Sequence, residues 1–244
     1  MKKNEVISVE VIDLCKDYGS ILASDHINLQ AHQGEIIALL GPNGAGKSTL
    51  MNMIAGYLAP MSGNIKILGQ DITEAPIFAK QNIGFLPEGS PLYADLSVKM
   101  FLNYMAQLRG AGKKAVQNVA QIANITNVMT QKIETLSKGY LRRVGFAQSI
   151  LANPPILLLD EPTDGLDPNQ KEYMRNLIMQ MASDKTIIIS THLLEEAESI
   201  CNRIIILDKG KVKADGTLKQ ILQKTKTKTL AAAFRQLTTE QEAD

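Results

Sequence analysis

The sequence predicts an α/β layered fold: a mostly parallel buried sheet, an N-terminal antiparallel β region and an inserted helical region. Three observations predict it. Four apolar runs, near residues 35–40, 155–159, 186–190 and 203–207, are rich in Ile, Leu and Val and do not alternate. Strands covered on both faces of a parallel sheet read that way. Segments of helical character, 47–57, 141–152, 168–183 and 193–201, separate these runs, as layered α/β architecture requires. The first 33 residues alternate instead, with Val9, Val11, Ile27, Leu29 and Ala31 set between polar neighbours. That pattern predicts half-exposed antiparallel strands.

Between about 89 and 140 the character changes. "SVKMFLNYMAQLRG" and "KKAVQNVAQIANI" place apolar residues at helical spacing, and no buried-strand run lies among them. From about 217 the chain reads as a Lys/Thr-rich and then acidic tail, whose last few residues are expected to be loose. No internal repeat is visible.

Composition sets bounds. A chain of 244 residues, 45% hydrophobic and 21% charged, suits one large domain or a domain with a subdomain. The formal net charge of +1 gives no broad field for an anionic membrane, and no nucleic-acid partner is expected. Cys15 and Cys201 lie far apart without a pairing pattern and read as inert buried thiols in a reducing compartment. The longest apolar runs fall well short of the ~20 residues that span a bilayer. No signal-type apolar core follows "MKKNEVISVEV". A cytoplasmic protein is expected, one still able to dock on a membrane protein.

"GPNGAGKST", residues 41–49, follows the run "EIIALL" and opens a helical segment. It fits G-x-x-x-x-G-K-[ST] through Gly41, Gly46, Lys47 and Ser48. Such a loop, Gly41 with Pro42, Asn43, Gly44, Ala45 and Gly46, turns its backbone N–H groups toward phosphate oxygens, and the helix N-terminus adds partial positive charge. Lys47 is expected at the β- and γ-phosphates, Ser48 at Mg²⁺ and Thr49 at an α-phosphate oxygen.

"ILLLDEPTDGLD" ends a buried run with two carboxylates. Neighbours on a strand point to opposite sides, so Asp160 and Glu161 can take different tasks. Asp160 is expected to hold Mg²⁺, mostly through water, and Glu161 to orient the attacking water. His192 follows the run "TIIIST", which should end at the same sheet edge as Asp160; ligands gather at that edge in open α/β sheets. His192 is then placed to bond a γ-phosphate. "LSKGY", residues 136–140, reads by itself as a helix start with Ser137 as N-cap.

Together these pieces resemble the nucleotide-binding subunit of an ATP-binding cassette (ABC) transporter. The likeness runs from Tyr18 to about residue 217 and rests on order: phosphate loop, "LPEG", "LSKGY", "LLLDEP", "GLD", then His192. "LPEGSPLY" and "DEPTDGLDPNQ" look most like the ATPases of ABC-2 and gliding-motility-type exporters. The resemblance implies a P-loop NTPase (RecA-like) core within one ATPase domain. Residues 1–88 would form the β subdomain and first part of the core, 89–140 the helical signature subdomain, 141–216 the second part of the core, and 217–244 a tail.

The resemblance also implies roles. Tyr18 would stack on adenine. "LSKGY" would be the signature motif, with Ser137 and Gly139 contacting the γ-phosphate of ATP held by a second subunit. Asp167 would meet that subunit, and Glu88 would touch Mg²⁺ and report nucleotide state. Three positions depart from the family pattern: Lys138 for the first signature Gly, Tyr140 for its Gln, and Glu88 for a Gln. The implied cofactors are ATP and Mg²⁺. The implied partners are a polytopic membrane permease, docking near Glu88 and residues 91–96, and a second copy or sister ATPase. The chain would sit on the cytoplasmic face of the inner membrane and drive export. Two other readings stay open: a soluble ABC machine that clamps or assembles without a permease, and a slowly hydrolysing nucleotide switch.

Overall fold

The computed structural model describes residues 6–89 and 91–239. Two long strands, β1 (Ile7–Asp17) and β2 (Leu22–His32), come first and pair antiparallel. Then β3 (Ile36–Leu40) leads into α1 (Lys47–Ile54). Next come β4 (Ser62–Ile67), β5 (Gln70–Asp71), α2 (Pro76–Asn82) and β6 (Ile83–Leu86). Two helices, α3 (Val98–Leu108) and α4 (Lys113–Ile122), precede α5 (Lys138–Ser149). The second half alternates: β7 (Ile156–Asp160), α6 (Pro168–Met181), β8 (Thr186–Thr191), α7 (Leu194–Ile200), β9 (Arg203–Asp208) and β10 (Lys211–Gly216). Two more helices, α8 (Leu218–Thr225) and α9 (Leu230–Thr238), close the described chain.

The strands form two sheets. The first, ordered β2-β1-β4-β5, is antiparallel. The second is ordered β10-β9-β3-β8-β7-β6, and only the β9–β10 pair in it is antiparallel. The four apolar runs are β3, β7, β8 and β9, and every residue of β3, β7 and β8 is buried. Full burial on both faces explains why those runs do not alternate.

One core cluster lies between the first sheet and the second, where Val9, Ile27 and Ile65 meet Leu39, Leu158 and Ile188. A second cluster packs α3, α4 and α5 against the other face of β7 and β8. Between residues 91 and 137 the described chain contains helices and short 3₁₀ turns; its single strand-like feature is an isolated bridge between Ser97 and Lys132.

The segment read as a tail is largely folded. α8 begins with a capping box from Thr217 and Gln220, which satisfies two orphan donors at the helix start. Ile221, Leu230 and Ala233 are buried against Leu40, Ile204 and Ile206 of the parallel sheet. Residues 240–244, on which the loose end was expected, lie outside the described residues.

Candidate functional site

The second sheet brings the phosphate loop and both carboxylates to one edge. Leu40 pairs with Thr191, Asp160 with Ser190, and Leu86 with Leu159. The strands β3, β6, β7 and β8 therefore finish level. The segments that follow them begin with Gly41, Pro87, Glu161 and His192.

The loop 41–46 is shaped by close packing. Gly46 has φ of 101°, in the left-handed region, and a Cβ there would stand 2.1 Å from the carbonyl oxygen of Ala23. A side chain at Gly41 would stand 2.4 Å from the carbonyl oxygen of Leu207. Only glycine meets both the conformational and the steric demand at 46. The loop is thus pressed between β2 and β9. α1 starts directly from Gly46 with no side-chain cap, so its first N–H groups are left for an anion.

Lys47 is 7% exposed. Its ammonium donates to the carbonyls of Gly41 (2.7 Å) and Pro42 (3.0 Å). Burial lowers its pKa, and the charges of Glu161, Asp160 and Glu88 oppose that effect. A cation of this kind, partly desolvated and in the field of acids at the same sheet edge, sits where phosphate charge is to be met.

A cavity of about 440 Å³ opens beside the loop. It is lined by Tyr18, Asn43, Gly44, Gly46, Lys47, Ser48, Thr49, Glu88 and Glu161, with Ile21 and Ala23. Tyr18 is 56% exposed, so its ring is not a core residue. Lys16 lies 5.5 Å from the ring centroid.

The two acids are separated by backbone geometry, not by strand alternation as expected. Asp160 is the last residue of β7, 2% exposed, and accepts a hydrogen bond from Ser190. Glu161 has left the strand: its φ is 51°. Its N–H donates to the Ser190 carbonyl (3.0 Å), and its own carbonyl accepts from the Asp164 N–H (3.1 Å) and from Arg142 (2.7 Å). A residue in this sparsely populated region is retained when its surroundings over-determine it. The carboxylate of Glu161 reaches His192, whose Nδ1 lies 2.9 Å from Oε1.

Three residues predicted to act together with these stand apart from the cavity. Ser137 caps α5, accepting from the Tyr140 N–H. Asp167 caps α6, accepting from the Gln170 N–H. Gly139 is buried where a Cβ would lie 2.7 Å from the Gln170 side chain. That contact is with the far end of a flexible side chain at the start of α6, which can move aside. Tyr140, one of the departures, takes a hydrogen bond from Asn127 and lies under the guanidinium of Arg143 (4.4 Å). Lys138 sits beside Gly165.

Sequence reasoning missed four residues. Arg142 is a buried arginine that bonds the Pro87 and Glu161 carbonyls. Glu196 is buried in α7 and accepts from Thr163 and Thr191. Thr238 and Thr239 share a second cavity with Pro42, Asn43, Gly44 and Ala45. Arg142 is one of two adjacent arginines in "LRR", and Glu196 one of the acids of "EEAE". Nothing local marks them as buried.

Among the described residues no group of three or more His, Cys, Asp or Glu converges as a metal cage. Mg²⁺ needs no such cage, since it takes one or two carboxylates and completes its shell with water and phosphate. The hydroxyl of Ser48 and the carboxylates of Asp160 and Glu88 fit that mode of binding.

Residues 24–164 match the family model described as ABC transporter. The chain belongs to the ABC transporter family. Over 214 residues the cassette is 34% identical to the probable multidrug ABC transporter ATP-binding protein YbhF of Escherichia coli (strain K12), covering 86% of this chain and 37% of that one. It therefore spans little more than a third of that relative. It is 30% identical over 235 residues to the uncharacterized ABC transporter ATP-binding protein YxlF of Bacillus subtilis (strain 168), covering 95% and 77%. The fold matches a solved ATP-binding subunit of an ABC transporter with TM-score 0.88 at 28% identity, over 94% of this chain and 99% of that one. It also matches the dimeric cassette MJ0796 in a post-hydrolysis state bound to ADP and Pi, with TM-score 0.81 at 26% identity, over 86% and 98%. The cassette has the P-loop NTPase fold of these neighbours. Among its described residues no helix is long and apolar enough to cross a membrane.

Proposed function

We propose that this cassette binds and hydrolyses MgATP as a dimer and that closure of the dimer drives a separate membrane permease, in the export direction. One observation carries the reading: Tyr18, Lys47, Ser48, Thr49, Glu88 and Glu161, far apart in the sequence, line a single cavity. The names of the relatives, a multidrug ATP-binding protein among them, favour export. In this reading the permease is a separate partner and the cassette works at the cytoplasmic face.

In this reading Tyr18 stacks on adenine, and the loop 41–46 with the α1 N-terminus cradles the phosphates. Lys47 leaves the Gly41 and Pro42 carbonyls for the β- and γ-phosphate oxygens, and Thr49 contacts the α-phosphate. Ser48, Asp160 and Glu88 would hold Mg²⁺, which when bound neutralises charge on the β- and γ-phosphates. Glu161 orients water for in-line attack at the γ-phosphorus, and His192 bonds the γ-phosphate while steering the Glu161 carboxylate. Ser137, Gly139 and Asp167, which stand away from the subunit's own cavity, would face the nucleotide of the partner subunit. The helical segment 89–140 would act as the moving signature subdomain between the two parts of the ATPase core. The permease would dock near Glu88 and residues 91–96.

The test is a pull-down of tagged Glu161→Gln protein from detergent-solubilised membranes with MgATP, read by mass spectrometry. A stoichiometric polytopic membrane protein is the expected result. Recovery of soluble partners alone, with the cassette absent from membranes, would overturn the transport reading.

A further inference from the structure

Arg142 lies on α5, the helix that begins at the "LSKGY" stretch, yet its side chain leaves the helical region. Nη1 donates to the Pro87 carbonyl at 2.8 Å and Nη2 to the Glu161 carbonyl at 2.7 Å. The first carbonyl directly precedes Glu88; the second belongs to Glu161 itself. A single planar guanidinium therefore fixes the ends of two strands, β6 and β7, from a third element. The residue is 6% exposed. Burial weakens the guanidinium's hold on its proton, while the charges of Asp160, Asp164, Glu161 and Glu88 oppose that.

Two features make this more than packing. Glu161 holds a left-handed backbone, φ 51°, a strained conformation that persists only where the surrounding structure over-determines it. The Arg142 bond falls on the carbonyl of that residue. The adjacent Arg143 donates to the carbonyl of Asn124, another left-handed residue with φ 52°. Consecutive helix positions point about 100° apart, so one arginine serves the carboxylate edge and the other the end of α4. The second feature is charge: bonded to the carbonyl that precedes Glu88 and to the carbonyl of Glu161, the Arg142 guanidinium sets a buried cation against the chain segments that carry Glu88, Asp160 and Glu161.

We propose that Arg142 is a positioning residue. It holds the Glu161 backbone in its left-handed turn and supplies the counter-charge that lets a glutamate occupy position 88. It thereby ties the signature helix to the hydrolytic edge of its own subunit. The inference rests on the reading of Glu161 as the residue that orients water.

The experiment compares Arg142→Lys, Arg142→Gln, Glu88→Gln, the Arg142→Gln/Glu88→Gln double variant and Glu161→Gln in the full chain. Three readouts are taken: steady-state kcat and KM for MgATP, equilibrium ATP affinity without Mg²⁺, and amide exchange of segments 87–89 and 161–164. Arg142→Gln and Arg142→Lys are each expected to lose kcat about tenfold or more while ATP affinity stays within about threefold. Exchange across 161–164 is expected to quicken in both, because the Asp164 N–H bonds the same Glu161 carbonyl. Glu88→Gln is expected to recover part of the lost turnover in the Arg142→Gln background, a coupling that a merely structural role would not give.

Turnover within about twofold of the parent in both Arg142 variants would overturn the proposal. So would unchanged exchange at 161–164, or the same multiplier from Glu88→Gln in both backgrounds. If Arg142→Gln does not fold, Arg142→Lys decides on turnover and exchange. Normal turnover of Glu161→Gln would instead sink the Glu161 reading, and exchange alone would then judge the backbone role of Arg142.

Discussion

Nδ1 of His192 lies 2.9 Å from Oε1 of Glu161. The two residues come from the ends of neighbouring parallel strands, 31 positions apart. His192 was expected to meet phosphate directly; the structure adds a contact that aims the carboxylate first. Residues that touch in this way act as a unit, and their effects on turnover do not add.

Glu161→Gln is therefore expected to bind ATP, to lose about a hundredfold or more in kcat, and to accumulate as a dimer with MgATP. Gel filtration with ATP and a phosphate-release assay check both halves. His192→Ala should also lose turnover, and the double variant should lose little beyond Glu161→Gln alone. Near-normal turnover in Glu161→Gln would remove Glu161 as the water-orienting group.

Lys47→Ala should lose nucleotide binding. The wild-type cassette at a ligand concentration 100 times Kd gains about 2.7 kcal/mol of stability by mass action, which thermal melting reads as a rise in Tm. The variant should melt at one temperature with or without ATP. A preserved ATP-dependent shift would show that the buried ammonium, now on the Gly41 and Pro42 carbonyls, is not the phosphate contact.

Glu196 carries a separate prediction. Its carboxylate accepts from Thr163, in the turn after Glu161, and from Thr191, which precedes His192, at 2.7 Å in the second case. The Thr191 hydroxyl in turn accepts from the Leu193 N–H. Glu196→Ala strands two buried hydroxyl donors, and the expected cost is about 2 kcal/mol or more. Urea unfolding measures it. Glu196→Gln, which keeps one acceptor oxygen, should cost less. Equal stability of all three proteins would mean that the network contributes nothing.

Much of this architecture was legible in the chain. The runs that became β3, β7, β8 and β9 are long enough and apolar enough to declare burial on both faces. The phosphate loop announces itself because glycine is forced at fixed offsets, as the clash at Gly46 shows. β6 escaped notice: four residues, one of them Gly84, give too short a run to distinguish from a loop. α8 and α9 escaped because the Lys/Thr run at 224–229, where one ends and the other has yet to begin, reads as a tail, although Ile221, Leu230 and Ala233 are buried on them. The left-handed turn at Glu161 and the inward reach of Arg142 were invisible for a different reason. Both depend on carbonyls contributed by distant strands, and no local pattern encodes those.

Cys201 gives a prediction about pH. Burial, with help from the charge of Glu196, pushes its thiol up from 9.0 to about 12. In the unfolded chain the thiol ionises near its ordinary value; in the folded chain it keeps its proton. The folded state therefore binds more protons across that window. The stability contributed is complete below about pH 9 and is lost as pH rises toward 12, at up to about 1.4 kcal/mol per pH unit. Lys47 acts with the opposite sign, because burial lowers its pKa, so the raw pH profile mixes the two. The comparison with Cys201→Ala isolates the thiol. Urea unfolding of parent and variant at about pH 8 and about pH 10 should show the parent's advantage shrinking by about 1 kcal/mol at the higher pH. A constant difference would mean that the folded thiol ionises as readily as an exposed one, and rapid alkylation of the native protein at pH 9 would then be its companion result.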